Sequence, residues 1–253
     1  MFGLNKMRRK KIRSRPFPPD WLAIVEKNVP YFQDLSVADR GRLLSDILVF
    51  LDEKNFEGCG GLSLTDEIRV TIAAQACLLL LHRKNDDYPR LQSILVYPHA
   101  YRVNVKKGSP DGFIQEGPEA RAGESWGHGA VVLSWDDVKK SASDLRDGHN
   151  VVLHEFAHQL DQEDGSADGV PILARRSRYT AWARVLGSEY QELVSEIDKG
   201  HRTVIDPYGA ISPAEFFAVV TECFFEKPVA LKRKHPELYD QLQLFYRQDP
   251  AAG

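Results

Sequence analysis

The segment His154-Glu155-Phe156-Ala157-His158 places two imidazoles and a carboxylate in an H-E-x-x-H pattern. Residues four apart lie on one face of a helix, so both imidazoles would reach one metal ion. Glu155 would lie about 100° round the helix, beside the metal ion, where a general base is needed. The surrounding residues are apolar, and burying two His and a Glu among them is costly without a function. The motif therefore predicts a catalytic metal site.

A catalytic zinc ion needs a third protein ligand and one open position for water. The metzincin pattern would require Gly where this sequence has Asp161. Asp161 instead falls on the same helix face as His154 and His158, which predicts that it orients an imidazole. The alternative is an ordinary exposed Asp.

The third ligand is expected downstream, in an apolar segment that carries Glu215 and Glu222 seven residues apart. Two acids on one face of so apolar a helix indicate that they have a role in the protein. Ser212 and Glu215 also form an S-x-x-E capping box with Pro213 at the first helical position. The local pattern therefore does not choose between Glu215 and Glu222 as the metal ligand, and the other acid is expected to support a metal-binding His or to pair with a neighbour.

Composition limits the class of protein that holds these residues. The chain has 253 residues, of which 43% are hydrophobic and 27% are charged, with a net charge of −3. These values are typical of a globular domain with a well-buried core, and they argue against a dedicated nucleic-acid binder or an anionic-membrane binder. The most apolar stretch, Val70 to Leu81, is too short to cross a bilayer. Three scattered cysteines indicate reduced thiols and a cytoplasmic location.

The elements that must position the site follow a helix–sheet–helix order. The first third reads helical, including a buried helix from Thr65 or Asp66 to about His82. The middle contains short β-rich runs, among them Leu91–Tyr97 and Gly129–Trp135. Lys106–Gly127 is rich in Gly, Pro and charge, which predicts an exposed loop. We therefore expect an α+β fold: a mainly helical single domain with a small sheet beside the H-E-x-x-H helix.

The basic N-terminus is treated separately from this domain. Residues 1–17 contain a run of Lys and Arg without an apolar core, which excludes a secretory signal and indicates a solvated, mobile head, the alternative being a contact role. The catalytic domain is predicted to span residues 18–253.

Several longer segments resemble the Mlc titration factor A family of bacterial zinc peptidases. They are HEFAHQLD from His154 to Asp161, the pattern D-x-Y-x-x-x-x-P-x-E from Asp206 to Glu215, and three further stretches, which are ILVYP, SWGHGAVVLSW and FYRQDP. The spacing from Tyr208 to Glu215 is also similar to that in the catalytic domain of anthrax lethal factor. The resemblance covers most of the chain after the basic head and implies a zincin-like fold.

The resemblance also implies roles for individual residues. His154, His158 and Glu215 would hold one zinc ion, Glu155 would be the catalytic base, and Tyr208 would face the site. From its chemistry, Tyr208 could then donate a hydrogen bond to the developing oxyanion, the alternative being a buried core tyrosine. Family members are described as binding the glucose-related repressor Mlc and as having aminopeptidase-type activity.

Two functional hypotheses follow. The first is a zinc-dependent peptidase acting on short peptides or exposed termini. The strand Gly129–Trp135 would either offer backbone hydrogen bonds to an extended substrate or be an ordinary sheet element. The second is a non-catalytic or latent zinc protein that sequesters a transcriptional regulator. Neither hypothesis involves direct contact with nucleic acid or a membrane.

Overall fold

The computed structural model describes residues 2–83, 88–108, 114–121, 123–126, 129–143 and 147–252. Helices α1 to α11 of this part of the chain span Phe2–Arg13, Pro19–Asn28, Tyr31–Asp34, Val37–Glu53, Asp66–Leu78, Trp135–Ser143, Val151–Asp161, Tyr179–Asp198, Pro213–Glu226, Pro228–Lys234 and Pro236–Tyr246. Strands β1 to β6 span Asn55–Gly58, Ser93–Tyr97, Tyr101–Gly108, Ile114–Arg121, Gly123–Trp126 and Ala130–Ser134. Short 3₁₀ turns lie at Gln162–Asp164, Arg176–Arg178, Pro207–Ala210 and Pro250–Ala252. The predicted α+β class, mainly helical with a small sheet, is confirmed.

The main sheet has the strand order β1-β2-β6-β5, in which β1, β2 and β6 are parallel and β5 is antiparallel to β6. The run Val131 to Leu133 in β6 is buried on both faces of the sheet, as expected for a central strand. Because β6 is hydrogen-bonded to β2 on one side and to β5 on the other, it has no open edge. The prediction that this strand offers backbone hydrogen bonds to a peptide is therefore wrong.

A second departure from the sequence analysis concerns the segment expected to be an exposed loop, Lys106–Gly127. Its described part contains the end of β3 and all of β4, which pair as an antiparallel hairpin with Tyr101 opposite Arg121. It also contains β5, which closes one end of the main sheet. Gly, Pro and charge lower strand propensity, but backbone pairing with a neighbouring strand overrides that weak preference.

Helix α5 lies at the centre of the molecule and is buried along nearly its whole length. Thr65 caps its first turn by accepting a hydrogen bond from the Ile68 N–H at 3.3 Å, so the predicted start is confirmed. The helix contacts α2, α4 and α7, which explains why its apolar residues surround it rather than forming a stripe. The helix α7, which carries the H-E-x-x-H residues, packs against α5.

The basic head is folded in the structure. Helix α1 packs against α4, where Arg8 pairs with Asp52, Arg9 makes a two-pronged ion pair with Glu53 at 2.7 Å, and Arg13 pairs with Asp46 at 2.9 Å. A solvated, mobile tail was expected from the run of charge. The acids that pair with these arginines lie about 40 residues further along the chain, so the local pattern does not reveal them. The boundary at residue 17 stays a prediction.

Within the described residues, no helix has both the length and the apolar character that crossing a membrane requires.

Candidate metal centre

Helix α7 carries the H-E-x-x-H residues and begins at a strong cap. The Asn150 side chain accepts hydrogen bonds from the Val152 and Leu153 backbone N–H groups at 3.1 and 3.0 Å. These bonds satisfy two of the N–H groups that a helix start leaves unpaired. The cap fixes where α7 begins and so fixes the direction in which His154 and His158 project.

Helix α9 brings Glu215 to the two imidazoles. The Oε2 atom of Glu215 lies 3.1 Å from His154 Nε2 and 3.4 Å from His158 Nε2, and the two Nε2 atoms are 3.2 Å apart. Ser212 still caps α9 by accepting the Glu215 backbone N–H at 3.2 Å. The cap therefore uses the backbone of Glu215 and leaves its carboxylate for the imidazoles.

The spacing of these three atoms fits a tetrahedral metal ion. Bonds of about 2.0–2.1 Å in a tetrahedron place ligand atoms about 3.3–3.4 Å apart. The observed separations of 3.1, 3.2 and 3.4 Å match this triangle closely. Among the described residues, His154, His158 and Glu215 are the group of His and acidic side chains arranged to hold a metal ion. The donor set of two nitrogens and one oxygen is also one that zinc accepts.

The second acid of α9 occupies a different position. Glu222 Oε1 lies 2.7 Å from His154 Nδ1, on the opposite side of the imidazole from Glu215. A carboxylate there favours a proton on Nδ1, so the neutral imidazole that binds a metal ion would carry its lone pair on Nε2, the atom that faces the cluster. The structure therefore separates the two acids that the sequence pattern left tied.

Neighbouring charges and hydrogen bonds shift the pKa values of His154 and Glu215 in opposite directions. Burial by itself lowers the pKa of His154, but the Glu222 charge and hydrogen bonds to Glu215 and Glu222 hold that pKa well above its ordinary value. Burial by itself raises the pKa of Glu215, yet hydrogen bonds from His154 and His158 hold it far below its ordinary value. The carboxylates concentrate negative charge at a half-buried point, which favours a cation.

A polar network anchors Glu222 in the core. Its Oε2 accepts the Asn150 backbone N–H, and Asn150 Nδ2 donates to Gln75 Oε1 at 2.9 Å. Gln75 is 1% exposed on the otherwise apolar helix α5. This network joins α5, α7 and α9, and it was missed by the sequence analysis. The signal was the presence of an amide in the most apolar stretch of the chain, because a buried polar group requires a partner.

Glu155 lies on α7 next to the cluster. Its side chain is 5% exposed, and its charge acts on His154, helping to raise the pKa of that imidazole. Its role as the catalytic base stays a prediction.

Tyr208 stands at the mouth of the cluster. Its ring centroid is 5.9 Å from that of His154, and its side chain is 50% exposed, which excludes a buried core tyrosine. The Asp206 carboxylate accepts the Tyr208 backbone N–H at 2.7 Å and also lies 3.3 Å from His149 Nε2. Asp206 thus fixes the turn that presents Tyr208. Asp206 is the first residue of the D-x-Y pattern in the sequence, but no role was predicted for it.

Asp161 differs from its prediction. It is fully buried, and its Oδ2 accepts the Gly169 backbone N–H at 2.9 Å, whereas its Oδ1 has no hydrogen-bond partner among the described residues. Burial raises its pKa to about 6. Asp161 therefore holds the loop after α7 rather than an imidazole, because the chain turns at Gly165 and brings the Gly169 N–H to it. The alternative of an exposed helical Asp is also wrong.

Another buried carboxylate of α9 gives a prediction for stability. Glu226 accepts a hydrogen bond from the Tyr31 hydroxyl at 3.0 Å, and burial raises its pKa to about 7 from an ordinary 4.5. The folded state thus binds more protons than the unfolded state between about pH 4.5 and 7, so stability falls as pH rises through this window. We expect Glu226→Gln to be more stable than wild type at pH 8 by the order of 1–3 kcal/mol, and equally stable at pH 4.

Urea unfolding of both proteins from pH 4 to 8 checks this expectation. Glu26→Gln on the exposed face of α2 is the matched control and is expected to follow the wild-type curve. Parallel curves for Glu226→Gln and wild type would show that Glu226 does not titrate in this range.

The chain matches a known protein family over most of its length. A family model described as "Glucose-regulated metallo-peptidase M90" matches residues 4–247, which include the whole candidate metal centre. The chain belongs to this family. The resemblance drawn from the sequence motifs is thereby confirmed. Membership of the M90 family, together with the cluster of His154, His158 and Glu215, indicates a metal ion at this site.

Three similar proteins cover most of the chain. An uncharacterized protein of Synechocystis sp. is 47% identical over 96% of this chain and 89% of its own length. Mlc titration factor A of Serratia proteamaculans is 34% identical over 88% of this chain and 86% of its own length. The protein of the same name from Pectobacterium atrosepticum is 34% identical over 92% and 87%.

Proposed function

We propose that this chain is a zinc-dependent peptidase. The observation that carries the proposal is the triangle of donor atoms from His154, His158 and Glu215, whose sides of 3.1 to 3.4 Å suit tetrahedral zinc. When bound there, zinc would lower the pKa of a water molecule and polarise a scissile carbonyl.

The residues around the cluster supply the proton transfers. Glu155 takes a proton from the attacking water and returns it to the departing amine, since a carboxylate beside the metal ligands is placed for both steps. Glu222 holds His154 in the orientation and tautomer that keep Nε2 directed at the cluster. Strand β5 is the end strand of the sheet and contacts α7. Strand β5 would therefore pair with an extended peptide, as was expected of β6.

Tyr208 donates a hydrogen bond to the oxyanion of the tetrahedral intermediate. Its exposure beside His154 leaves its hydroxyl accessible to substrate. We expect Tyr208→Phe to lower kcat by about 10- to 10³-fold with little change in KM, because the bond strengthens as charge develops in the transition state. Steady-state kinetics check this, with Tyr179→Phe on α8 as a control of the same type. A rise in KM with kcat unchanged would assign Tyr208 to substrate binding alone.

The substrates are proposed to be short peptides or exposed chain termini, cleaved in an aminopeptidase-like manner. The test is hydrolysis of aminoacyl and short-peptide chromogenic substrates by zinc-loaded protein, repeated after chelation and after zinc is restored. Activity that disappears and returns with zinc supports the proposal. Silence of the zinc-loaded protein against N-terminally free and blocked peptides alike would overturn it.

We also propose a cytoplasmic location. Cys59, Cys77 and Cys223 are not joined in disulfides, as expected in a reducing compartment.

A second candidate function is the sequestration of a transcriptional regulator. Its support is the name of the relatives at 34% identity, Mlc titration factor A. Capture of a purified Mlc-type repressor by the immobilised chain tests it. Capture that survives both zinc removal and Glu155→Gln would show that binding is independent of catalysis, and failure with all three preparations would remove this candidate.

A further inference from the structure

A cavity of about 310 Å³ lies apart from the metal cluster, and neither the metal ligands nor Glu155 line it. Its walls come from the loop after α7, the start of α8 and the end of α11. Among the described residues, four arginines line the cavity and no acid does: Arg83, Arg175, Arg178 and Arg247. A cavity with this charge favours an anionic ligand.

Arg83 is the most informative of these residues. Its side chain is only 5% exposed, and its guanidinium lies over the ring of Phe245 at 4.2 Å. Its Nε and Nη1 have no hydrogen-bond partner within the described part of the chain. Its Nη2 forms an ion pair with the buried Glu163 carboxylate, with 3.6 Å between Nη2 and Oε2, a distance too long for a hydrogen bond.

Buried donors without partners are costly, and a buried guanidinium is the extreme case. The stack on Phe245 stabilises the charge but satisfies none of the N–H groups. A guanidinium with unsatisfied N–H groups in the wall of a cavity has the planar fork that binds carboxylate or phosphate oxygens.

The other arginines add charge at the rim. Arg175 and Arg247 are exposed, while Arg178 donates to the Leu244 carbonyl at 3.3 Å. Three or four guanidinium groups match the charge of a phosphate monoester dianion better than they match the single charge of a carboxylate. The volume and the apolar wall formed by Ile172, Leu244 and Phe245 leave room for a small organic group.

We propose that this cavity binds a small organic phosphate. The phosphoryl oxygens accept hydrogen bonds from Arg83, Arg175 and Arg247 neutralise the charge, and the organic part packs on Leu244 and Phe245. The site is separate from the peptidase centre and does not depend on the proposed peptidase activity.

Calorimetric titration of the full chain tests the proposal, with phenyl phosphate, inorganic phosphate and phenol as probes. We expect phenyl phosphate to bind with a submillimolar Kd, inorganic phosphate about ten-fold more weakly, and phenol not at all. The Kd is expected to change less than two-fold when zinc is added or chelated. Binding that requires zinc would place the phosphate at the metal cluster and overturn the proposal.

Variants locate the binding. The double change Arg175→Gln with Arg247→Gln alters exposed side chains only, and we expect it to weaken phenyl phosphate at least ten-fold. Arg176→Gln, exposed on the same turn but outside the cavity, is the matched control and is expected to change the Kd less than two-fold. If both variants bind phenyl phosphate equally more weakly, or if neither does, the binding is nonspecific and the proposal is overturned.

Arg83→Met tests the buried donor by a separate readout. Methionine fills the space without charge, so phenyl phosphate should raise the melting temperature of wild type and of Arg176→Gln but not that of Arg83→Met. An equal rise in Arg83→Met would overturn the assignment of Arg83. If Arg83→Met does not fold, the exposed double variant still decides the proposal.

Discussion

Replacing Glu155 by Gln is expected to lower kcat/KM for peptide hydrolysis by about 10²–10⁴-fold while zinc remains bound. Gln keeps the size and the hydrogen-bonding ability of Glu but cannot take a proton from water. General acid–base catalysis contributes a factor of this size, and a loss of 10³-fold corresponds to about 4 kcal/mol of transition-state stabilisation. The effect should fall on kcat, because the proton is transferred only as the reaction proceeds.

The measurement needs activity and metal content from the same preparations. Steady-state kinetics on the best substrate of the panel would be paired with elemental analysis after dialysis. Glu192→Gln, the same change at an exposed position of α8, is the control and should match wild type in both. Undiminished turnover by Glu155→Gln at equal zinc content would rule out Glu155 as the base.

The two acids of α9 are expected to differ sharply in their effect on zinc affinity. Glu215→Ala should weaken zinc binding by about 10³-fold, because it removes one of three ligand atoms. Structural zinc sites are worth about 10–16 kcal/mol in total, so one ligand accounts for several kcal/mol. Glu222→Gln should weaken it by about 10–100-fold, since it alters only the group that orients His154.

Competition with a chromogenic zinc chelator at constant pH gives both affinities. The comparison depends on the order of the two variants, and Glu192→Gln again serves as the substitution control. A larger loss with Glu222→Gln than with Glu215→Ala would reverse the assignment of ligand and orienting group that the structure supports.

Local sequence was sufficient for the helix that carries the motif. The Asn150 cap, the apolar run around it and the spacing of His154 and His158 all act within one or two helical turns. The helix geometry therefore follows from chain chemistry alone. The same holds for the Ser212 cap and Pro213 at the start of α9.

Local patterns failed where backbone pairing or distant charges decided the structure. Lys106–Gly127 has the composition of a loop, yet its described residues pair as strands. The basic head has the composition of a solvated tail, yet its arginines meet acids of α4. In both cases the deciding partner lies too far along the chain for a pattern in the sequence to reveal it.

The sequence by itself determined the chemistry available to this protein: two imidazoles on one helix face, a carboxylate beside them on the same helix, and two candidate acids downstream. Tertiary structure alone decided which acid serves which purpose. The crossing of α7 and α9 puts Glu215 at the Nε2 atoms and Glu222 at Nδ1 of His154. The tertiary structure also brings Arg83, Arg175 and Arg247, which lie on separate segments of the chain, to one cavity. Helical spacing fixes neighbours within a helix, but neighbours between helices depend on how the cores pack, and that information is spread over the whole chain.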